Sequence, residues 1–486
     1  MKSKLIDTIS NHDSTTPSRK STQKSSKATI SDRCSVISSL STSIDKHQQE
    51  IIDACTKYNL NVFFTGAAGT GKSYLLKTII HNLPPHPATV VTGSTGVAAC
   101  QLINGTTLHS WLGIGVPSKS ATAENLLPQV LKKKNLMNRL KSARTLIIDE
   151  ISMIDGEYFG LMDELLRLVR SKNSDKIESP FGGLQVIVCG DFLQLPPVNA
   201  EVMAFETEAW KSFKVYNLEK IYRQADDAKF AKMLQLIRVG KCNETILKTL
   251  RTAKIDEGLI ESAGIEPTIL TTHVKDVDSI NTSRFALLEC EGNPAKDFNA
   301  LDTLNSSSSK DVKKFDKLLP SVRNTLRLCK GAQVMLNKNI NVKRRLVNGA
   351  RGVVIGFGNN GYPRVRWLNC KKDDLTGKDA DWPVVGPVKF TVRDGDGQIY
   401  QRSQLPLNLA WAVSIHKSQG MTLDFAELSL SKTFEDGQAY VALSRITSLK
   451  GLKIKGVIRS DIIKANKKAV KYYLDNGLLN NILKKK

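Results

Sequence analysis

The sequence predicts an α/β protein: two parallel-sheet P-loop NTPase domains, the second interrupted by a small β-barrel insertion. Three observations predict it. The apolar strand Asn61-Val62-Phe63-Phe64-Thr65 runs into Gly66-Ala67-Ala68-Gly69-Thr70-Gly71-Lys72-Ser73 and then a helical pattern, the G-x-x-x-x-G-K-S spacing of a phosphate-cradling loop. Apolar strands recur between helical stretches, first at Val62–Thr65, Val90–Thr92, Leu146–Ile148 and Val186–Cys189, then at Thr268–Thr272, Leu409–Ile415 and Phe425–Leu430. That alternation is the mark of βα units with functional residues at the carboxyl ends of the strands. Between about 330 and 405 the character changes to short strands (Val334–Leu336, Arg351–Gly356, Arg364–Trp367, Val388–Val392) broken by Gly, Pro and Asn turns.

Along the chain, residues 1–43 are Ser/Thr/Lys-rich with few large apolar residues, the composition of a disordered tail. Asp7, Asp13 and Asp32 weaken a transit-peptide reading. Residues 44–218 are expected to form the first α/β domain, with a small wedge-like insertion at about 110–140. Residues 219–329 and 406–486 form the second, and 330–405 the inserted barrel. The stretch 294–318, with Ser306–Ser309, reads as an exposed loop, and the chain ends in a lysine-rich helix and the basic tail Lys484–Lys486.

Leu75, Leu76, Ile79 and Ile80 fall at helical spacing after Ser73, so the loop opens onto a helix N-terminus, where free N–H groups meet phosphate. Lys72 is placed to reach the β- and γ-phosphates of ATP, and the Ser73 hydroxyl to hold Mg²⁺. Strand Leu146–Ile148 ends in Asp149-Glu150: one carboxylate for the Mg²⁺ shell, the next to polarise the attacking water. The following strand ends in Gly190–Pro197, where the Gln194 amide can both donate and accept, and so report a γ-phosphate. Arg223 and Arg445 carry the planar fork that matches phosphate geometry, although a lone arginine is also an ordinary surface side chain.

Composition agrees with a polyanionic partner. The 486 residues carry a net charge of +23 and a pI near 9.6, and 41% of them are hydrophobic, enough for sizeable cores. The eight cysteines include no C-x-x-C pair, which argues against a disulfide or zinc framework and for reduced thiols. No apolar run approaches the length of a membrane span.

Taken together, the motifs resemble the petite-integration-frequency (PIF) family of superfamily 1B DNA helicases, related to RecD-type helicases. The likeness covers nearly all of 44–460. It includes the phosphate loop, Thr92–Ala99, Thr107–Ser110, Asp149–Met153, Gly190–Pro197, Val347-Asn348-Gly349, Ser414–Thr422 and Tyr440–Arg445. Most specific is Tyr222-Arg223-Gln224 followed by Phe230, Leu234, Ile237, Arg238 and Gly240. The resemblance implies two RecA-like lobes clamping ATP, with Arg223 and Arg445 reaching it from the second lobe and Gln194 sensing its γ-phosphate. It implies an adenine-reading glutamine, either Gln48 or Gln49, and strand-facing motifs containing Thr95, His109, His416 and Lys417. Thr95 also fits a helix cap, and His109 and His416 fit satisfied core histidines. The implied activity is ATP-dependent 5′→3′ travel on single-stranded DNA and unwinding of forked DNA in genome maintenance. The protein would act as a monomer, without a membrane, in the nucleus or mitochondrion of a eukaryote or the cytoplasm otherwise. An RNA-directed helicase, a non-unwinding ATPase switch and a small-molecule kinase are the competing readings.

Overall fold

Five-residue runs of β-branched and aromatic residues build the first sheet. The computed structural model describes residues 44–483 apart from 103–104, 116–120, 172–177, 198–199, 306, 309–311, 320, 342–343, 345, 347, 369–381, 383, 394–397 and 434. The expected tail 1–43, Val347 of its motif and Lys484–Lys486 lie outside the described residues. Strands β1 (Val62–Gly66), β2 (Thr89–Gly93), β3 (Thr106–Thr107), β4 (Thr145–Asp149), β5 (Gln185–Cys189) and β6 (Lys214–Leu218) form one parallel sheet in the order β3-β2-β4-β5-β1-β6. β1, β2, β4 and β5 are buried throughout, because helices cover both faces of a parallel sheet. Alternation splits their side chains: Phe63, Ile148 and Val188 join one core, Val62, Phe64, Ile147 and Ile187 the other. The register pairs Gly93 with Asp149 and Phe64 with Cys189, so the ends of β1, β2, β4 and β5 converge on one edge. β6 escapes a search for apolar runs because it is an edge strand with Lys214 exposed.

β7 (Thr268–Thr271) begins the second parallel sheet. It is followed by the antiparallel strands β8 (Lys296–Asn299), β9 (Leu301–Leu304), β10 (Ser307–Ser308), β11 (Thr325–Leu328), β12 (Gln333–Leu336), β13 (Arg351–Phe357), β14 (Pro363–Trp367), β15 (Val388–Arg393), β16 (Ile399–Gln404) and β17 (Leu407–Leu409). Then β18 (Ala412–Ser414), β19 (Ala426–Ser429) and β20 (Leu452–Lys455) complete the order β18-β7-β19-β20. The antiparallel strands assemble as β10-β9-β16-β15, β14-β13-β12-β17 and the pair β11-β8.

The structure departs from sequence expectation in three places. The stretch 294–318 is not an exposed loop: it holds β8, β9 and a helix, Val312–Leu318. Its polar residues are satisfied at long range, Asp302 and Asp316 binding the fully buried Arg402 at 2.7 and 2.6 Å. The apolar run Leu409–Ile415 is two strands, since the chain leaves β17 and enters β18 in a different sheet after Ala410-Trp411. Finally, the C-terminal helix Lys467–Asp475, expected within the second motor domain, packs on the first. Ala469, Tyr473 and Leu479 join the core of Phe63, Phe159 and Phe192, and the Trp210 Nε1–H donates to the Tyr472 hydroxyl at 2.9 Å. Its lysines mask an apolar face that only the partner surface explains. Trp111, Trp210, Trp367 and Trp411 are likewise buried, as core residues. Among the described residues no helix is long and apolar enough to cross a membrane.

Candidate active site

Gly66 to Gly71 turn from the end of β1 into the helix Lys72–Asn82, whose N-cap, Gly71, supplies no side chain to its first N–H groups. Those donors and the positive end of the helix dipole are therefore open to an anion. Thr70 Oγ1 donates to the Ala67 carbonyl at 2.9 Å and stiffens the loop. The Lys72 ammonium folds back onto the carbonyls of Gly66 and Ala67, at 2.8 and 3.0 Å, and burial pulls its pKa down. Ser73 is exposed on the first helical turn.

The rest of the chain closes on this loop. Ala68 N–H donates to the Tyr440 hydroxyl at 2.8 Å, and the Gly69 carbonyl accepts from Tyr222 N at 2.8 Å. Gly69 sits at φ +82°, and a Cβ there would lie 2.6 Å from the Arg223 Cβ, so only glycine fits.

β4 delivers Asp149, whose Oδ1 accepts from the Glu150 N–H at 2.9 Å. Glu150 itself occupies the left-handed region, φ +55°, a conformation that costs on the order of 1 kcal/mol outside glycine and is typical of functional turns. Burial, and then the charge of Glu150, push the Asp149 carboxyl up to about 7. Relative to an unfolded value of 3.8, that raised pKa contributes stability below about pH 4 that is lost as pH rises through about 7. In magnesium-free, nucleotide-free solution the melting temperature of the wild type should therefore fall relative to Asp149→Asn over that window, by roughly 2–5 °C. Parallel melting curves for the two proteins from pH 4 to pH 8 would remove this assignment.

Gln194 is buried, its backbone N–H on the Asp191 carbonyl at 2.9 Å and its amide 3.5 Å from Asp191 Oδ2. From the second lobe Gly437, at φ +74°, approaches so near that a Cβ would collide with the Gln194 carbonyl. Arg223 donates to Thr422 Oγ1 and to the Ser444 carbonyl, both at 2.9 Å. Burial, then the like charge of Arg445, pull Arg223 down to about 9, which leaves it a cation at neutral pH. Arg445 is buried on the Val441 carbonyl at 2.9 Å and on Ser444 Oγ at 3.0 Å, and burial lowers its pKa too. The charge of Glu150 favours the charged form of Lys72, Arg223 and Arg445 alike. Among the described residues neither arginine has a carboxylate within ion-pair distance.

Several participants had no role assigned from sequence. Arg238 of the signature helix grips the fully buried Asp191 with two bonds, at 2.8 and 3.0 Å. Burial alone would raise the Asp191 carboxyl, but this guanidinium overrides it and holds the pKa low. The Tyr473 hydroxyl joins Thr65 Oγ1 at 2.6 Å, accepts from Phe192 N at 3.1 Å and donates to Asp191 Oδ1 at 3.2 Å. Gln419 Nε2–H donates to Glu150 Oε2 at 2.9 Å across the lobes. Gln419 stands inside a motif the sequence displays; Tyr473 has no local signal at all.

The expected strand-facing residues each have local partners. Thr95 caps the helix Gly96–Gln101, accepting from Ala98 N at 3.2 Å. His109 is half-buried and stacked on Tyr158 with ring centroids 4.3 Å apart, and burial lowers its pKa. His416 Nε2 lies 3.0 Å from Glu435 Oε2. Lys417 is exposed and lines a cavity with Asn281, Asn337, Asn348 and Met421, and the buried Asn337 Oδ1 has no hydrogen-bond partner among the described residues. Of the two adenine candidates, Gln48 is buried in a capping box with Asp45, and Gln49 is exposed with its amide on Asp53 at 2.7 Å.

These donors fit a nucleoside triphosphate with its divalent cation. A glycine cradle, a lysine and two arginines with no carboxylate at ion-pair distance among the described residues bring positive charge to the cleft. The buried Asp149 and the Ser73 hydroxyl are hard oxygen donors of the kind Mg²⁺ takes alongside phosphate and water.

Comparison with known proteins gives a consistent set of relatives. A profile described as "PIF1-like helicase" matches residues 39–248, and one described as "DNA helicase Pif1, 2B domain" matches 319–357. A Xenopus laevis protein named ATP-dependent DNA helicase PIF1 is 44% identical over 421 residues, 85% of this chain and 61% of that protein. The crystal structure of Pif1 helicase from Candida albicans is 34% identical, with a TM-score of 0.70 over 89% of this chain and 99% of that one. A Bacteroides Pif1 helicase in complex with ADP-AlF3 and ssDNA is 27% identical, with a TM-score of 0.59 over 90% and 98% of the two chains. The chain thus spans about three-fifths of the length of the curated relatives it matches.

Proposed function

Since this chain belongs to the PIF1-like helicase family, we propose that it hydrolyses ATP to move 5′→3′ along single-stranded DNA and to unwind forked duplexes. The observation that carries this reading is a pair of guanidiniums that meet at Ser444, the half-buried Arg223 against Gly69 of the phosphate loop and the buried Arg445, with no carboxylate partner among the described residues. A stand-alone kinase has no need of two such groups from a second lobe, whereas a motor that closes on each ATP does.

The roles follow from position. The loop 66–71 and Lys72 hold the triphosphate, while Glu150 accepts a proton from the attacking water. Gln194, held by Asp191, senses the γ-phosphate. Arg223 and Arg445 balance the charge that develops in the transition state and draw the lobes together. Ser73 and Asp149 would hold Mg²⁺, which when bound would neutralise phosphate charge. Lys417 and its cavity, with Thr95, His109 and His416, flank the DNA path. The motor domains are 44–218, on which the C-terminal helix Lys467–Asp475 packs, and 219–329 with the chain from 406 up to that helix, the latter interrupted by 330–405, and the protein works as a monomer. Its compartment is the nucleus or mitochondrion if the source is eukaryotic, the cytoplasm otherwise.

Duplexes carrying only a 5′ or only a 3′ single-stranded tail test the proposal. Unwinding of the 5′-tailed DNA alone is expected, with ATP consumed and an RNA strand giving weaker stimulation of turnover. Unwinding from the 3′ tail, or ATP turnover indifferent to DNA, would refute it.

A further inference from the structure

The Glu150 carboxylate makes one side-chain hydrogen bond among the described residues, and the donor comes from the opposite lobe: Gln419 Nε2, 2.9 Å from Oε2. Gln419 is buried, so this amide is shielded from water and its bond to a charge is stronger than a surface contact. Glu150 offers little freedom of its own, because its backbone is fixed in the left-handed region and its N–H is held by Asp149.

Gln419 is rigidly joined to the turn that carries His416 and Lys417. Ser418 N–H donates to the carbonyls of Ser414 and Ile415, Ser418 Oγ donates to the Ile415 carbonyl at 2.7 Å, and Lys417 N–H donates to Ser414 Oγ at 3.3 Å. Gln419 N–H closes the turn on the His416 carbonyl at 3.3 Å. A displacement of His416 or Lys417 is therefore carried to Gln419 without slack. An amide N–H on a carboxylate oxygen fixes the direction of the carboxylate and takes up one of its acceptor sites, so that Glu150 is held on Gln419 and away from the geometry a general base needs towards an attacking water.

We propose that Gln419 is a positioning residue that restrains Glu150, and that a single strand engaging the His416–Lys417 turn withdraws the amide and frees the carboxylate to accept the proton of the attacking water. The inference rests on the reading above, in which Glu150 is the base and this turn faces the strand. It adds the route by which DNA raises ATP turnover.

The test is steady-state ATP turnover by the full chain, with and without a single-stranded oligonucleotide. Wild type is compared with Gln419→Ala, which removes the donor, and Gln419→Glu, which keeps the size but replaces the donor with a charge that repels Glu150. Strand affinity is followed by fluorescence anisotropy and folding by thermal unfolding. Strand-free kcat should rise about ten-fold in Gln419→Ala, the equivalent of ~1.4 kcal/mol. The KM for ATP and the strand affinity should stay within about two-fold, so that stimulation by the strand shrinks towards unity. Should the alanine variant fail to fold, the glutamate variant carries the same expectation. A strand-free kcat that is unchanged or lower in a folded variant overturns the proposal while leaving the helicase reading intact. A wild type whose turnover ignores the strand overturns both.

Discussion

Replacing Lys72 with Ala is expected to lower ATP turnover by at least about 10³-fold while leaving binding of single-stranded DNA within a few-fold of wild type. The ammonium is the cation nearest the loop, held on the carbonyls of Gly66 and Ala67, and burial has already made its charge costly to keep. A partly desolvated cation interacts more strongly with phosphate than a surface lysine does, because water screens it less. Truncation should cost little stability: it removes two hydrogen bonds to loop carbonyls and a desolvated charge, terms of opposite sign and about 1–3 kcal/mol each. Turnover, unfolding temperature and strand affinity measured together decide the matter. Residual turnover above a tenth of wild type would take Lys72 out of the site.

Arg445→Ala should be nearly as severe, with about a 10³-fold loss in kcat, since an arginine supplied from a second lobe to transferring phosphate contributes on that scale. This residue is buried inside the protein, yet its partners are a carbonyl and a hydroxyl of its own lobe, Val441 and Ser444, and among the described residues no carboxylate pairs with it. Arg445→Lys separates charge from shape. It keeps the cation but not the planar fork, so it should recover only a small part of the lost rate. Strand binding should survive both changes. If Arg445→Lys restored full turnover, simple charge would suffice and the two-pronged contact with phosphate would be wrong; if strand binding vanished with turnover, the variant would report misfolding of the second lobe.

How far these sites could be read in advance depended on how local their signals are. The phosphate loop, Asp149-Glu150 and Gln194 each follow a buried apolar strand. The strand supplies the periodicity and the turn chemistry supplies the rest, so a window of about ten residues contains the whole argument. Arg223 and Arg445 were visible only as members of motifs. Nothing near either says that Gly69 lacks a side chain because Arg223 fills that space, or that Gly437 does the same beneath Gln194. The strand-facing residues were the least legible. Thr95 is a helix cap and His109 lies against Tyr158, structural tasks that a short motif cannot distinguish from contact with DNA.

The α/β class, the phosphate loop, the acidic pair and the family are legible without coordinates, because each is written in neighbouring residues whose spacing encodes a strand, a turn and a helix. The tertiary structure alone decided where distant groups meet. It set Tyr473, from a lysine-rich terminal helix, beneath β1 and against Asp191, and joined Gln419 to Glu150. It also turned the polar stretch 294–318 into strands around Arg402. In each case a buried polar group is satisfied by a partner about 80 or more residues away, and burial makes that pairing obligatory without leaving any mark in the local sequence.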